Sequence, residues 1–245
     1  GVIAAAYNPD YGEENDVATA DNGMIVSAHP LATETGYDIL SRGGNAVDAA
    51  IAMQYVLTVA EPMMSGIGGG GFMMVYDAES GETSIINSRE RAPDGANPEM
   101  FLGEDGEPMP FEERVRSGKS VGVPGTLRGL EEAHATWGTL QMTELIDPAI
   151  SIAEEGFAID DFLANQIADN AEKLQGTAAS DVLFNGEQPL AEGDVLVQED
   201  LAKTLNSIKD NGIDTFYNGE IAKATAGAVE EFGGSMTAED LSAYE

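Results

Sequence analysis

Two arginines, Arg89 and Arg91, follow a short apolar segment, and they are two of the six arginines among 245 residues. A guanidinium group at the end of a strand is well shaped to take a substrate carboxylate through two parallel hydrogen bonds. Arg89 is therefore a candidate ligand for a substrate carboxylate. An ordinary salt bridge is the alternative in so acidic a chain, and the residue types and spacing alone leave both interpretations open.

A glycine-rich loop precedes this segment, with five glycines in the six positions 66–71. Glycine allows backbone conformations that are closed to other residues. Gly66, Gly68 and Gly71 match the dinucleotide-binding fingerprint, but that fingerprint requires a strand before the glycines and a helix after them, and here the order is reversed. No Gly-Lys-Ser or Gly-Lys-Thr follows, which excludes a phosphate loop. The loop is either functional or only lets a helix and a sheet approach closely.

The two histidines of the chain give little support for catalysis or for a metal site. His29 lies between a predicted strand and a predicted helix beside Pro30, where a structural or capping role is favoured over a catalytic one. Glu131 and His134 have the Glu-x-x-His spacing of di-iron bundles, but such a site needs two of these pairs plus further glutamates. We therefore predict no metal site and no cofactor.

A buried helix is predicted immediately before the glycine loop. Apolar residues are nearly continuous over 46–60, Asn45 precedes them as a helix cap, and Asp48 follows three residues later. Pro62 ends the segment. The apolar stretch is shorter than the roughly 20 residues of a membrane span and contains polar residues, so we predict a core helix.

A hairpin is predicted immediately after the loop. Residues 72–76 and 83–87 have the composition of strands, and the segment between them is rich in turn-forming residues. The hairpin places Arg89 at the end of its second strand. Elsewhere we predict a strand at 24–28 and helices at 30–43, 126–137, 147–156, 160–174, 199–210 and 219–232, with a capping-box turn at 237–240. The pattern indicates helices packed on a sheet.

The net charge of -33 results from 44 acidic and 11 basic residues spread along the chain. This balance predicts a solvated acidic surface that needs salt for screening, as expected of a halophile's protein. Nucleic acid and anionic membrane surfaces are disfavoured as partners because neutralising phosphates requires clustered Lys and Arg. The absence of cysteine excludes a disulfide, a thiolate metal site and a cysteine nucleophile, and leaves the redox compartment open.

The chain carries a series of ordered motifs: GGNAVDAAIAM at 43–53, SGIGGGGFMMVYDA at 65–78, SRERAP at 88–93, and further matching segments at 24–33, 120–130 and 214–245. Together they resemble the large subunit of gamma-glutamyltranspeptidase over nearly the whole chain. In that family the arginine of the matching motif holds the substrate α-carboxylate. The resemblance therefore implies this role for Arg89.

The resemblance also implies a fold and a reaction. The fold is α+β, the four-layer αββα sandwich of N-terminal nucleophile hydrolases, completed by a small subunit. The enzyme is a gamma-glutamyltransferase or glutathione hydrolase that cleaves the γ-glutamyl amide of glutathione-like donors and passes the acyl group to water or to an amino-acid or peptide acceptor. We expect residues 1–245 to form a single domain, the N-terminal part of the large subunit, with 1–21 as an extended lead-in.

One departure from the family pattern is the absence of a Thr-Thr pair. Family members cleave themselves before a threonine, which becomes the N-terminal nucleophile of the small subunit. The chain stops at Glu245, short of where the family's large subunit ends, so we assign no catalytic residue to it. The alternatives are a related acylase or poly-γ-glutamate depolymerase, and a non-catalytic acidic binding subunit. The family alone implies a secreted or periplasmic location.

Overall fold

The computed structural model describes residues 19–103 and 105–245. The predicted lead-in at 1–21 lies outside the described residues except for its last three. The chain divides into two compact units. Among the described residues, the first contains 19–66, 133–168 and 181–202, and the second contains 67–103, 105–132, 169–180 and 203–245. A single domain spanning 1–245 stays a prediction.

The described residues form helices and short antiparallel sheets. The helices are α1 (Pro30–Ser41), α2 (Ala46–Ala60), α3 (Phe111–Val115), α4 (Thr126–Trp137), α5 (Met142–Glu155), α6 (Asp161–Asp169), α7 (Ala171–Leu174), α8 (Ser180–Leu183), α9 (Glu199–Asn211), α10 (Asp214–Tyr217), α11 (Gly219–Glu231) and α12 (Ala238–Ser242). The strands are β1 (Gly71–Asp77), β2 (Glu82–Ser88), β3 (Phe157–Ala158), β4 (Phe184–Asn185), β5 (Gln188–Pro189) and β6 (Val195–Leu196). They pair as β1 with β2, β3 with β6, and β4 with β5.

The core of the first unit is α2, which packs against α1 and α5. Its predicted bounds are confirmed, and Asn45 and Asp48 form a reciprocal capping box at its start. Gly36 of α1 brings the two helices close together, because a Cβ at this position would lie 2.7 Å from Sδ of Met53. The two helices therefore approach each other closely at Gly36.

Asp48 ties the start of α2 to the connection between α4 and α5. Its side chain is fully buried and accepts hydrogen bonds from the backbone N–H groups of Asn45 and Thr139, each at 2.9 Å. The hydroxyl of Thr139 donates to the same carboxylate. Burial acts to raise the pKa of Asp48, but these hydrogen bonds outweigh it and hold the pKa below its ordinary value.

Glu61, which ends α2, is a buried carboxyl group of a different kind. It is 4% exposed. Burial, with the nearby charge of Asp160, raises its pKa from 4.5 to about 7. Because the folded protein then holds this proton more tightly than the unfolded chain does, stability present below pH 4.5 is lost as the pH rises from 4.5 to about 7.

The pH dependence predicts a stabilising substitution. Glu61→Gln removes the cost of ionising a buried carboxyl group, so we expect it to raise the free energy of unfolding at pH 8 by about 2 kcal/mol and to have a smaller effect at pH 5. Urea unfolding of both proteins at the two pH values measures the difference. Glu79→Gln, in the exposed turn of the hairpin, is the control. A gain at pH 5 as large as that at pH 8 would contradict the assignment.

Two predicted elements of the first unit are wrong. Residues 24–28 do not form a strand, no strand pairs with them among the described residues, and Val26 is 78% exposed. The helix predicted to begin at Asp147 begins at Met142, because Gln141 and Glu144 form a capping box there and Pro148 is accommodated inside α5. The strand fails because no partner pairs with it, and the earlier helix start comes from a capping interaction that outweighs the local preference for a start at Asp147-Pro148.

The helix predicted at 160–174 is divided in two. Asp160 caps its start, accepting a hydrogen bond from the N–H of Leu163 at 2.8 Å, but α6 ends at Asp169 and α7 continues after Asn170. The longer helices predicted near the C-terminal end are confirmed as α9 and α11, and the capping box of Thr237 and Asp240 begins α12.

The second unit contains the hairpin formed by β1 and β2. Its register pairs Gly71 with Ser88 and Asp77 with Glu82, which confirms the prediction. One face of the hairpin exposes four large apolar side chains, at 61–70% of their accessible surface. They are Phe72, Met74, Tyr76 and Ile85. Among the described residues, no helix has both the length and the apolar content that crossing a membrane requires.

Candidate substrate-binding site

Arg89 follows β2 directly, at the strand end where the sequence places it. Its side chain is 58% exposed, and Nη1 lies 3.3 Å from Oε2 of Glu90. That oxygen is buried and accepts no hydrogen bond from any described residue, so the two charges are close without hydrogen-bonding geometry. Exposed ion pairs stabilise a fold little. The guanidinium therefore keeps donors available for an incoming carboxylate.

The main chain of Arg89 is fixed although its side chain is exposed. Its N–H donates to Oδ1 of Asn87 at 3.1 Å, and its carbonyl oxygen accepts a hydrogen bond from the hydroxyl of Tyr244 at 2.7 Å. Two residues later, Arg91 and Val123 exchange a pair of backbone hydrogen bonds of 3.1 and 2.8 Å. Hydrogen bonds thus hold the main chain after β2 both at Arg89 and two residues later at Arg91.

Ser88, the residue before Arg89, is buried against bare backbone. Its hydroxyl donates to the carbonyl oxygen of Gly71 at 3.1 Å. A Cβ at Gly129 would lie 2.6 Å from both Cβ and Oγ of Ser88, and one at Gly70 or Gly125 would collide with its carbonyl oxygen. Three glycines therefore create the space in which this residue sits.

The glycine loop has both a packed and an open part. The carbonyl oxygen of Gly69 accepts hydrogen bonds from the N–H groups of Gly125 and Thr126, at 2.9 and 3.0 Å, and so satisfies amides at the start of α4. Gly70 lies against Ser88, as close packing requires. A Cβ at Gly68 would meet no atom of the described residues within 4 Å. Close packing thus explains Gly70 but gives no reason for Gly68.

A groove of about 520 Å³ lies beside the end of β2. Its lining residues are Ile86, Asn87, Ser88, Arg128, Gly129, Glu131, Glu132, Ser242, Tyr244 and Glu245. Arg128 is already engaged, because its guanidinium lies 3.1 Å from Glu131, 3.0 Å from Asp214 and 4.6 Å from the centre of the Tyr217 ring. Arg89 is not among the residues that line this groove, but its guanidinium has fewer partners than that of Arg128 and so more donor capacity for a ligand.

The two histidines have structural surroundings. Nδ1 of His29 accepts a hydrogen bond from the N–H of Leu31 at 3.2 Å and caps α1, and its ring meets the ring of Phe157 edge-on. Nε2 of His134 lies 2.8 Å from the carbonyl oxygen of Leu140. Within the described ranges, no group of three or more His, Cys, Asp or Glu residues is arranged to hold a metal ion.

Residues 32–245 match the family model described as Gamma-glutamyltranspeptidase. The chain belongs to the gamma-glutamyltranspeptidase family. This match spans the glycine loop, the hairpin and Arg89, which together form the candidate site.

Named relatives give the same result. The glutathione hydrolase proenzyme of Bacillus subtilis (strain 168) is 57% identical over 235 residues, which are 96% of this chain and 40% of the relative. The Acylase ACY 1 proenzyme of Pseudomonas sp. (strain V22) is 41% identical over 243 residues, which are 96% of this chain and 43% of the relative. The chain thus spans less than half the length of these two relatives.

The solved structure of Helicobacter pylori gamma-glutamyltranspeptidase matches with a TM-score of 0.89 at 39% identity. The match covers 94% of this chain and 66% of that one. The fold class is therefore α+β, of the N-terminal nucleophile hydrolase type, and the chain carries a part of that fold.

Tyr244 is the residue at this site that sequence reasoning missed. The sequence predicts only helices and a capping-box turn near the C-terminal end, yet the hydroxyl of Tyr244 reaches the carbonyl oxygen of Arg89, 155 positions away in the sequence. A buried tyrosine usually finds a partner for its hydroxyl, but nothing in the sequence pattern says which residue that partner is.

Proposed function

We propose that this chain is the large-subunit portion of a gamma-glutamyltransferase or glutathione hydrolase that cleaves the γ-glutamyl amide of glutathione-like donors. Family membership supports the reaction class. The observation that supports the substrate is the exposed guanidinium of Arg89 on a fixed main chain, an arrangement that suits a substrate α-carboxylate.

In the proposed mechanism Arg89 binds a part of the donor that does not react. The threonine hydroxyl of a small subunit attacks the γ-amide carbonyl carbon, and the α-amine of that threonine takes the hydroxyl proton. The proton then passes to the nitrogen of the scissile amide, the C–N bond breaks, and a γ-glutamyl ester remains on the threonine. Water or an amino-acid acceptor then attacks the ester and releases the threonine. No residue of this chain is assigned a catalytic role, and the proposed chemistry needs no metal and no cofactor.

The exposed apolar face of the hairpin favours the presence of a partner chain. Phe72, Met74, Tyr76 and Ile85 stand on one side of β1 and β2 and are each more than 60% exposed. Covering a large apolar side chain contributes about 1.5–3 kcal/mol. We propose that strands of the small subunit cover this face and complete the four-layer sandwich.

We further propose that the protein comes from a halophile and is exported. The first proposal rests on the net charge of -33, and it predicts that activity falls when salt is removed and screening is lost. The second rests on the family resemblance. Activity confined to the cytoplasmic fraction of the source cells would contradict it.

A second candidate is an acylase of the same fold, favoured by the 41% identity to a proenzyme named as an acylase. The poly-γ-glutamate depolymerase alternative is kept beside it. Rates with γ-glutamyl-p-nitroanilide, a glutaryl amide and poly-γ-glutamate separate the three substrate classes. A non-catalytic binding subunit would be inactive with all of them.

The proposal is tested first on the purified full-length gene product. Intact masses and N-terminal sequencing of every polypeptide are expected to give this sequence in one chain and a threonine at the start of a second chain. The preparation is expected to release p-nitroaniline from γ-glutamyl-p-nitroanilide. An unprocessed, inactive polypeptide would instead support the binding-subunit alternative.

A further inference from the structure

The hydrogen bond from Tyr244 to Arg89 joins the C-terminal end of the chain to the proposed substrate ligand. Tyr244 is 4% exposed, and its hydroxyl donates to the Arg89 carbonyl oxygen at 2.7 Å. From this geometry we propose that Tyr244 is a positioning residue for donor binding, which fixes the main chain from which the Arg89 guanidinium projects. The inference rests on the proposed function of Arg89.

Tyr244 is itself held by an aromatic stack. Its ring lies parallel to that of Tyr217, with centroids 6.1 Å apart and planes at 17°. The hydroxyl of Tyr217 donates to the carbonyl oxygen of Pro124 at 2.9 Å. The guanidinium carbon of Arg128 lies 4.6 Å from the centre of the Tyr217 ring. The hydroxyl of Tyr244 therefore points from a fixed ring.

The Tyr244 hydroxyl lies close against the main chain of Gly125. A Cβ at Gly125 would collide with the Tyr244 hydroxyl and with the carbonyl oxygen of Ser88. The glycine thus lets the tyrosine reach the Arg89 carbonyl. The exposed guanidinium has one ion pair among the described residues, with Glu90, so the position of the main chain is the principal constraint on where it can reach.

Tyr244→Phe removes the hydroxyl and keeps the ring and its stack. We expect the KM for γ-glutamyl-p-nitroanilide to rise about fivefold, as for loss of one hydrogen bond, with kcat within about twofold. The enzyme used is the complete processed protein. Tyr37→Phe, in α1 of the other unit, is the matched control and leaves both constants unchanged.

Two further measurements separate positioning from a general structural role. With 4-aminobutyryl-p-nitroanilide, a donor that lacks the α-carboxylate, Tyr244→Phe is expected to change nothing. In the Arg89→Ala background the same substitution adds no further rise in KM, because both changes act through one contact. Equal effects on both donors, additive effects, or failure of Tyr244→Phe to assemble would overturn the proposal and make Tyr244 a structural residue.

The same data distinguish this inference from the proposed function. If Arg89→Ala raises KM and Tyr244→Phe does not, the positioning role of Tyr244 is wrong and the function of Arg89 stands. If Arg89→Ala itself leaves KM unchanged, the proposed function of Arg89 fails first.

Discussion

Arg89→Ala is expected to raise the KM for γ-glutamyl-p-nitroanilide by about 100-fold, the loss of two charge-assisted hydrogen bonds to a carboxylate. The change in kcat is expected to be much smaller. In the proposed function Arg89 binds the α-carboxylate, which does not react, so the interaction is expected to be about equally strong in the ground state and the transition state. Steady-state kinetics over a wide donor range measure both constants.

The controls isolate the contact from the loss of a positive charge. Arg42→Ala removes another exposed arginine that forms ion pairs with Asp38 and Glu144, and it should leave KM unchanged. Arg89→Lys keeps the charge and loses the planar pair of donors, so an intermediate KM is expected. An unchanged KM in Arg89→Ala would remove Arg89 from the substrate site and return it to the salt-bridge interpretation.

The helix and hairpin around the site were predictable because their signals are local. Asn45 and Asp48 mark the start of α2 within three residues of each other, and turn-forming residues separate two short apolar strands. Such signals need no knowledge of the rest of the chain. They place Arg89 at a strand end. The role proposed for Arg89 came from the family motif, since its residue type also suits a salt bridge.

The setting of Arg89 depends on distant residues and was not predictable. Gly125 and Gly129 leave room for Ser88, and Tyr244 reaches the carbonyl oxygen of Arg89 across 155 positions. Neither the two glycines nor the tyrosine carries a local signal that points to Arg89. Spatial pairing of this kind leaves no period or spacing in a single sequence. The strand predicted at 24–28 fails for the related reason that a strand requires a partner.

Asp48→Ala is expected to lower the free energy of unfolding by about 4 kcal/mol, which is in the range for breaking a buried hydrogen-bond network. The carboxylate is fully buried and accepts from the backbone of Asn45 and Thr139 and from the Thr139 hydroxyl. Removing it leaves these donors buried without an acceptor. Urea unfolding at pH 7, with unchanged m, measures the loss.

Asp240→Ala is the matched comparison for the cost of burial. Asp240 occupies the same capping-box position in α12, where its carboxylate accepts from the backbone and hydroxyl of Thr237 near the surface. Loss of an accessible cap costs about 1 kcal/mol. Similar losses for the two variants would show that capping, and not burial, accounts for Asp48.

The contribution of Asp48 to stability should also depend on pH. Because hydrogen bonds lower the pKa of Asp48, its stabilising contribution is present above pH 3.8 and is lost as the pH falls through the folded-state pKa. The difference in free energy of unfolding between Asp48→Ala and the parent protein should therefore narrow in acid.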